Sequence, residues 1–193
     1  MKKLSLILIL VVGLCTVSCR RHVVPKPYGY FRIAVPDTSY TYCHPKGYPY
    51  GFLLSDNAVL EEHPYDGEQY WVDIQYPMLN ATIYCSYKPI RNNLRSLAHD
   101  TQEFLFSHSR VASAIPVQEF ANPEHNMWGL YFELHGNTAT PIQFILTDSV
   151  RHFFRAAVYA NCVPNQDSLA PIYDYLREDV RVMMESMEWY ETN

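Results

Sequence analysis

Asp148, Ser149 and His152 lie within five residues of one another, and their side chains are the types that serine hydrolysis uses. That chemistry needs a hydroxyl nucleophile in contact with an imidazole base, and a carboxylate that orients the imidazole. The segment lacks the Gly-x-Ser-x-Gly elbow that presents such a serine in one large class of hydrolases. Asp and Ser are also common turn formers. A turn is therefore expected at Asp148–Arg151, with a periplasmic hydrolase built on the trio as the alternative. His99-Asp100 and His108 raise metal binding, but positions nine apart on a helix point about 180° from each other. His44, His63 and His125 fall in Pro-rich or polar stretches and are expected to be solvated. No Cys/His ladder with zinc spacing and no glycine-rich phosphate loop occurs. The expectation is no catalytic residue, no metal and no cofactor.

The cysteines carry a different chemistry. Met1-Lys2-Lys3 is followed by an apolar run from Leu4 to Leu14. That run is too short to span a bilayer, which takes roughly twenty residues, and has the length of a signal-peptide core. Thr16-Val17-Ser18-Cys19 then places a small residue just before a cysteine, as a bacterial lipoprotein signal does, with Thr16 where leucine is usual. Cys19 is the expected lipidation site, and residues 1–18 the segment removed. An ordinary secretory signal is the alternative. Acyl chains on Cys19, of the palmitate type, would hold the protein at a membrane, each buried CH₂ adding about 0.8 kcal/mol. Residues 19–28 read as a tether with Pro25 and Pro27, and residues 29–193 as one globular domain. The basic Arg20-Arg21 favours a periplasm-facing anchor. Cys43, Cys85 and Cys162 are an odd set, expected as small buried thiols or as one bridge and a spare thiol.

Loss of residues 1–18 removes Lys2 and Lys3 and leaves thirteen basic against twenty acidic side chains, a charge of −7. Nucleic acid is a poor partner for such a domain, and no polybasic stretch suits anionic lipid. The aromatic fraction is 15% with 16 Tyr. Tyr40, Tyr42, Tyr48 and Tyr50 cluster in a Tyr/Pro/Gly segment that is expected to be irregular and exposed, a candidate surface for a protein partner.

The elements that must position these residues are legible as two periodicities. Strands are expected at Tyr30–Val35, Tyr50–Leu54, Tyr70–Tyr76, Ala81–Lys88, Ser113–Phe120, Trp128–His135, Ile142–Thr147 and His152–Tyr159. Ala81, Ile83, Cys85 and Tyr87 alternate on one face. Asn92–His108 changes to a three-and-four spacing, an amphipathic helix capped by Asn92 or Asn93. Ser168–Trp189 is a second helix lined by Leu169, Ile172, Leu176, Val180, Met183 and Met187, with Asp167 or Ser168 as cap and Pro171 in its first turn. The fold class expected is α+β: an antiparallel sheet with one internal helix and a long C-terminal helix, of the Mog1/PsbP-like kind.

Several longer runs fit one family in order. They are Pro25-Lys26-Pro27-Tyr28-Gly29-Tyr30-Phe31-Arg32-Ile33, Ile74-Gln75-Tyr76-Pro77, Ala81 to Ile90, Gln143 to Arg155, Pro164 to Pro171 and Glu188-Trp189. Together they resemble the gliding motility lipoprotein GldD family of Bacteroidetes. Arg155-Ala156-Ala157-Val158-Tyr159-Ala160 and Gly136-Asn137-Thr138-Ala139-Thr140 depart modestly from that pattern. The resemblance implies a non-enzymatic lipoprotein of the gliding and type IX secretion apparatus that supports assembly or stability of other envelope lipoproteins. Those lipoproteins, or other components of that apparatus, are the partners implied. A small-ligand-binding module is a further alternative, and it requires an aromatic-lined pocket.

Overall fold

A computed structural model describes residues 36–64, 67–109 and 112–191. Cys19, the signal segment, the tether and the strand expected at Tyr30–Val35 lie outside the described residues. The strands are β1 (Tyr40–Cys43), β2 (Tyr50–Ser55), β3 (Val59–Glu62), β4 (Val72–Tyr76), β5 (Ala81–Pro89), β6 (Val117–Asn122), β7 (Met127–Glu133), β8 (Ile142–Thr147), β9 (His152–Ala160) and β10 (Glu188–Trp189). The helices are α1 (Leu94–Ser109) and α2 (Gln166–Ser186). The class is α+β, as expected. None of the described helices is long and apolar enough to cross a membrane.

A seven-stranded antiparallel sheet runs in the order β3-β4-β5-β9-β8-β7-β6. Two of its hairpins use the same device. Pro77–Leu79 and Pro123–His125 each form a single 3-10 turn that ends on an asparagine, Asn80 or Asn126, at φ 48 and 49. Proline presets the first turn residue, and asparagine tolerates the left-handed conformation that reverses the chain. β5 and β9 form the longest ladder, Ala81↔Ala160 to Pro89↔His152.

Each face of the sheet carries a helix. On one face Ile74, Ile83, Phe144, Phe154 and Val158 pack against Leu169, Ile172, Leu176, Val180, Met183 and Met187, the stripe anticipated for the C-terminal helix. On the other, Leu97 and Leu105 of α1 pack against Phe132, Leu134, Ile145 and Phe153. Alternation along β9 sends Phe153 to one core and Phe154 to the other.

A second sheet, β1-β2-β10, was not anticipated. α2 stops at Ser186, because Met187 is extended (φ −67, ψ 137) and Glu188–Trp189 pairs with Gly51 and Tyr50 of β2. The expected helix to Trp189 is thus three residues too long at its end and two too short at its start. Asn165, and neither Asp167 nor Ser168, is the N-cap, its side chain accepting from the Ser168 amide at 3.1 Å. Pro171 consequently sits in the second turn of α2.

Candidate functional site

The turn that contains the hydrolase trio is organised by Asp148. Asp148 Oδ1 accepts from the backbone N–H groups of Val150, Arg151 and His152 at 2.9, 2.7 and 2.8 Å, and Ser149 takes φ 65. His152 is buried, and Tyr87 Oη lies 2.8 Å from its Nδ1 while Asp148 Oδ2 lies 4.0 Å from its Nε2. Its ring stacks on Trp189 at 5.0 Å between centroids and 6° between planes. Asp148 and His152 line an open groove of about 410 Å³ with Trp189 and Tyr190, and Ser149 is not among its lining residues. A general base must touch the proton it removes, at about 2.6–3.2 Å. Here both imidazole nitrogens face Tyr87 and Asp148, so the arrangement locks a turn onto the C-terminal strand.

Burial pushes the Asp148 carboxyl up, but the backbone N–H groups of His152, Arg151 and Val150 outweigh it, and its pKa falls below the ordinary value. Burial holds the His152 imidazole below its ordinary pKa, the nearby Asp148 carboxylate offsetting only part of that. The unfolded chain then takes up a proton near pH 6.5 that the folded chain refuses. Stability is therefore expected to fall as pH drops through that value toward the folded pKa, and to level off below it. Urea unfolding between pH 8 and 5 checks this. A His152→Gln variant should lose that component of the pH dependence, and an unchanged profile would assign it elsewhere.

The tyrosine cluster is not the exposed surface expected. Tyr42 is 41% exposed, but Tyr48 and Tyr50 are 8% and 0% exposed. The Tyr50 hydroxyl donates to the Tyr70 carbonyl at 2.6 Å, and its ring meets Phe154 edge-on at 5.0 Å. Tyr40 donates to Asp179 of α2 at 2.6 Å. Tyr42 lies 2.8 Å from the Tyr190 hydroxyl and donates to Glu188 at 3.1 Å. These rings fasten the small sheet to α2 and to the end of the chain. An aromatic-rich segment reads the same from sequence whether it faces inward or outward.

His44, His63 and His125 are exposed, as expected, and the first two have side-chain partners. His44 stacks on Tyr190 at 3.9 Å, and His63 pairs with Asp73 at 3.1 Å. His99, Asp100 and Glu103 are grouped and exposed on α1, and the side chain of His108 is outside the described set. Cys85 is buried, Cys43 half-buried and Cys162 exposed, all unbridged. The exposure of Cys162 corrects the expectation of buried thiols.

One aromatic-lined hollow was not anticipated. A cavity of about 510 Å³ opens between α1 and the β4-β5-β9 part of the sheet, lined among others by Trp71, Tyr84, Phe104, Phe153 and Arg155. Arg155 stands in the middle of β9, an otherwise apolar strand, with its guanidinium 4.7 Å from the centre of the Phe104 ring. That lone cation in a buried strand was the legible signal. Phe104 itself is exposed.

No curated protein matches the chain. Among solved structures the chain is similar to the solution structure of cyanobacterial PsbP (CyanoP) from Synechocystis sp. PCC 6803. The identity is 10%, the match covers 81% of this chain and 95% of that one, and the TM-score is 0.46. In sequence, residues 20–189 match the family described as gliding motility lipoprotein GldD. With residues 20–189 of its 193 inside that match, the chain belongs to the gliding motility lipoprotein GldD family.

Proposed function

We propose that the chain is a lipid-anchored, non-catalytic accessory protein of the gliding motility and type IX secretion apparatus, supporting the assembly or stability of other envelope lipoproteins. The observation that carries the reading is the family match, which begins at Arg20, directly after the lipidation site Cys19, and runs to Trp189. Diacylglycerol on Cys19 confines the domain to the membrane, and the basic Arg20-Arg21 favours the periplasmic side. Confinement raises the effective concentration of partners anchored in the same surface. The hydrogen bond of His152 Nδ1 to Tyr87 and the stacking of its ring on Trp189 support a structural, non-catalytic role.

The test is a strain that lacks the chain, with companion envelope lipoproteins quantified in its membranes. Their levels are expected to fall, and to recover with the wild-type chain or with Ser149→Ala. Cys19→Ala should move to the soluble fraction and fail to restore them. Unaltered levels of every companion in the deletion strain would remove the assembly role. A folded Ser149→Ala chain that does not complement would reinstate the hydrolase.

A further inference from the structure

We propose that the cavity between α1 and the sheet binds an organic monocarboxylate with an apolar body, its carboxylate held by Arg155 and its body by the aromatic walls. The site is independent of the accessory role. Its volume of about 510 Å³ falls in the range of small-molecule pockets, which combine apolar lining with a few placed polar groups.

The argument rests on how the charges are partnered. Of the cavity's charged lining, Lys88 pairs with Glu68 at 3.1 Å and Asp73 with His63 at 3.1 Å, and Asp100 of α1 is an exposed carboxylate at the rim. Arg155 has no carboxylate partner among the described residues. Its Nη2 donates to Gln143 Oε1 at 3.0 Å, and Gln143 Nε2 donates to Thr140 Oγ1 at 2.9 Å. That second bond fixes which way the buried amide points, so Gln143 presents oxygen to the guanidinium and holds it in place. An amide is neutral, however, and leaves the cation's charge uncompensated. Arg155 Nε is covered and has no acceptor. Burial disfavours the charged form of this guanidinium, and the neighbouring Tyr159 offsets only part of that. Arg155 is half-buried, and a cation partly withdrawn from water without a counter-charge is costly, a cost that a bound anion would offset. A single cation calls for a single negative charge. The face of Phe104 over the guanidinium, with Trp71, Tyr84 and Phe153 in the same lining, calls for an apolar, ring-sized body beside that charge.

The experiment uses the full lipidated chain in lipid nanodiscs and 2-naphthylacetate as probe, followed by ligand-observed NMR. Its uncharged methyl ester is the control, and Arg155→Met in identical discs corrects for partition of the probe into lipid. The expected result is saturable binding of the acid to the wild type. Binding should weaken at least ~10-fold in Arg155→Met, and the ester should bind the wild type weaker by a similar factor. Absence of saturable binding at millimolar acid, or equal affinity of acid and ester, overturns the proposal. Undiminished binding to a folded Arg155→Met overturns it as well. If that variant does not fold, the comparison of acid with ester on the wild type decides alone.

Discussion

Gly129→Ala is expected to cost about 3 kcal/mol or more, read as a drop in the urea midpoint at unchanged slope. Gly129 is paired with Leu146 across β7 and β8. A β-carbon there would stand 2.1 Å from the Ile145 carbonyl oxygen and 2.8 Å from Leu146 Cδ2. The first obstacle is backbone, so no rotamer change relieves it. The strands must separate locally, and the ladder between Trp128↔Thr147 and Glu133↔Ile142 would loosen with them. β8 also carries Gln143, so the same variant should weaken the setting of Arg155. A loss below about 1 kcal/mol would show that the two strands give way at little cost.

Asp179 gives the second large effect, and two substitutions should separate its causes. The residue is 3% exposed on α2, accepts from Tyr40 at 2.6 Å, and has Oδ2 without a partner among the described residues. Burial pushes its carboxyl above the ordinary pKa, and the Tyr40, Tyr76 and Ser55 hydroxyls pull it back without cancelling the shift. Asp179→Ala removes the acceptor and strands the half-buried Tyr40 hydroxyl, which should cost roughly 2–4 kcal/mol. Asp179→Asn keeps an acceptor and removes the buried charge, so it should lie within ~1 kcal/mol of wild type at pH 7. A carboxyl whose pKa is raised by folding gains stability as pH falls through its folded value toward the ordinary one near 3.9. The wild type should show that gain in acid unfolding curves and Asp179→Asn should not. Equal losses for the two variants would mean that the charge, and not the hydrogen bond, holds the helix in place.

Asp179 belongs to a row of contacts that reaches from α2 to the small sheet. Tyr175 receives Thr38 Oγ1 at 2.7 Å and Asn57 Nδ2 at 3.1 Å, and Ser186 Oγ accepts from the Leu53 amide at 2.9 Å. These pairs span more than a hundred positions in the chain. Periodicity is a local property and carries no record of them. It did reveal the alternation of β5, whose Ala81, Ile83, Cys85 and Tyr87 are buried while Tyr84 is exposed. It also placed both helices to within a few residues, because a stripe at three-and-four spacing needs no knowledge of what it packs against.

β3 escaped notice for the opposite reason. Val59-Leu60-Glu61-Glu62 is short and acidic, and becomes a strand by pairing with β4 at the sheet edge. β8 and the first part of β9 are buried on both faces, so their near-continuous apolar runs identify strands without telling which side chain faces which core. Arg155 was therefore visible in sequence as an anomaly, but its direction toward α1 was not. The tyrosines between positions 40 and 50 show the same limit. Their rings suit a partner surface and an interior equally, and pairing of β2 with β10 sent Tyr48 and Tyr50 inward.

Class, helix stripes, strand alternation and the family were all written in short stretches of residues, because each depends on neighbours along the chain. Whether Asp148, Ser149 and His152 form a reacting set, which tyrosines meet solvent, and where an unpaired arginine opens onto a hollow depended on segments far apart in order. Those outcomes are set by packing between elements, where burial and hydrogen-bond partners are assigned only once the whole sheet has closed.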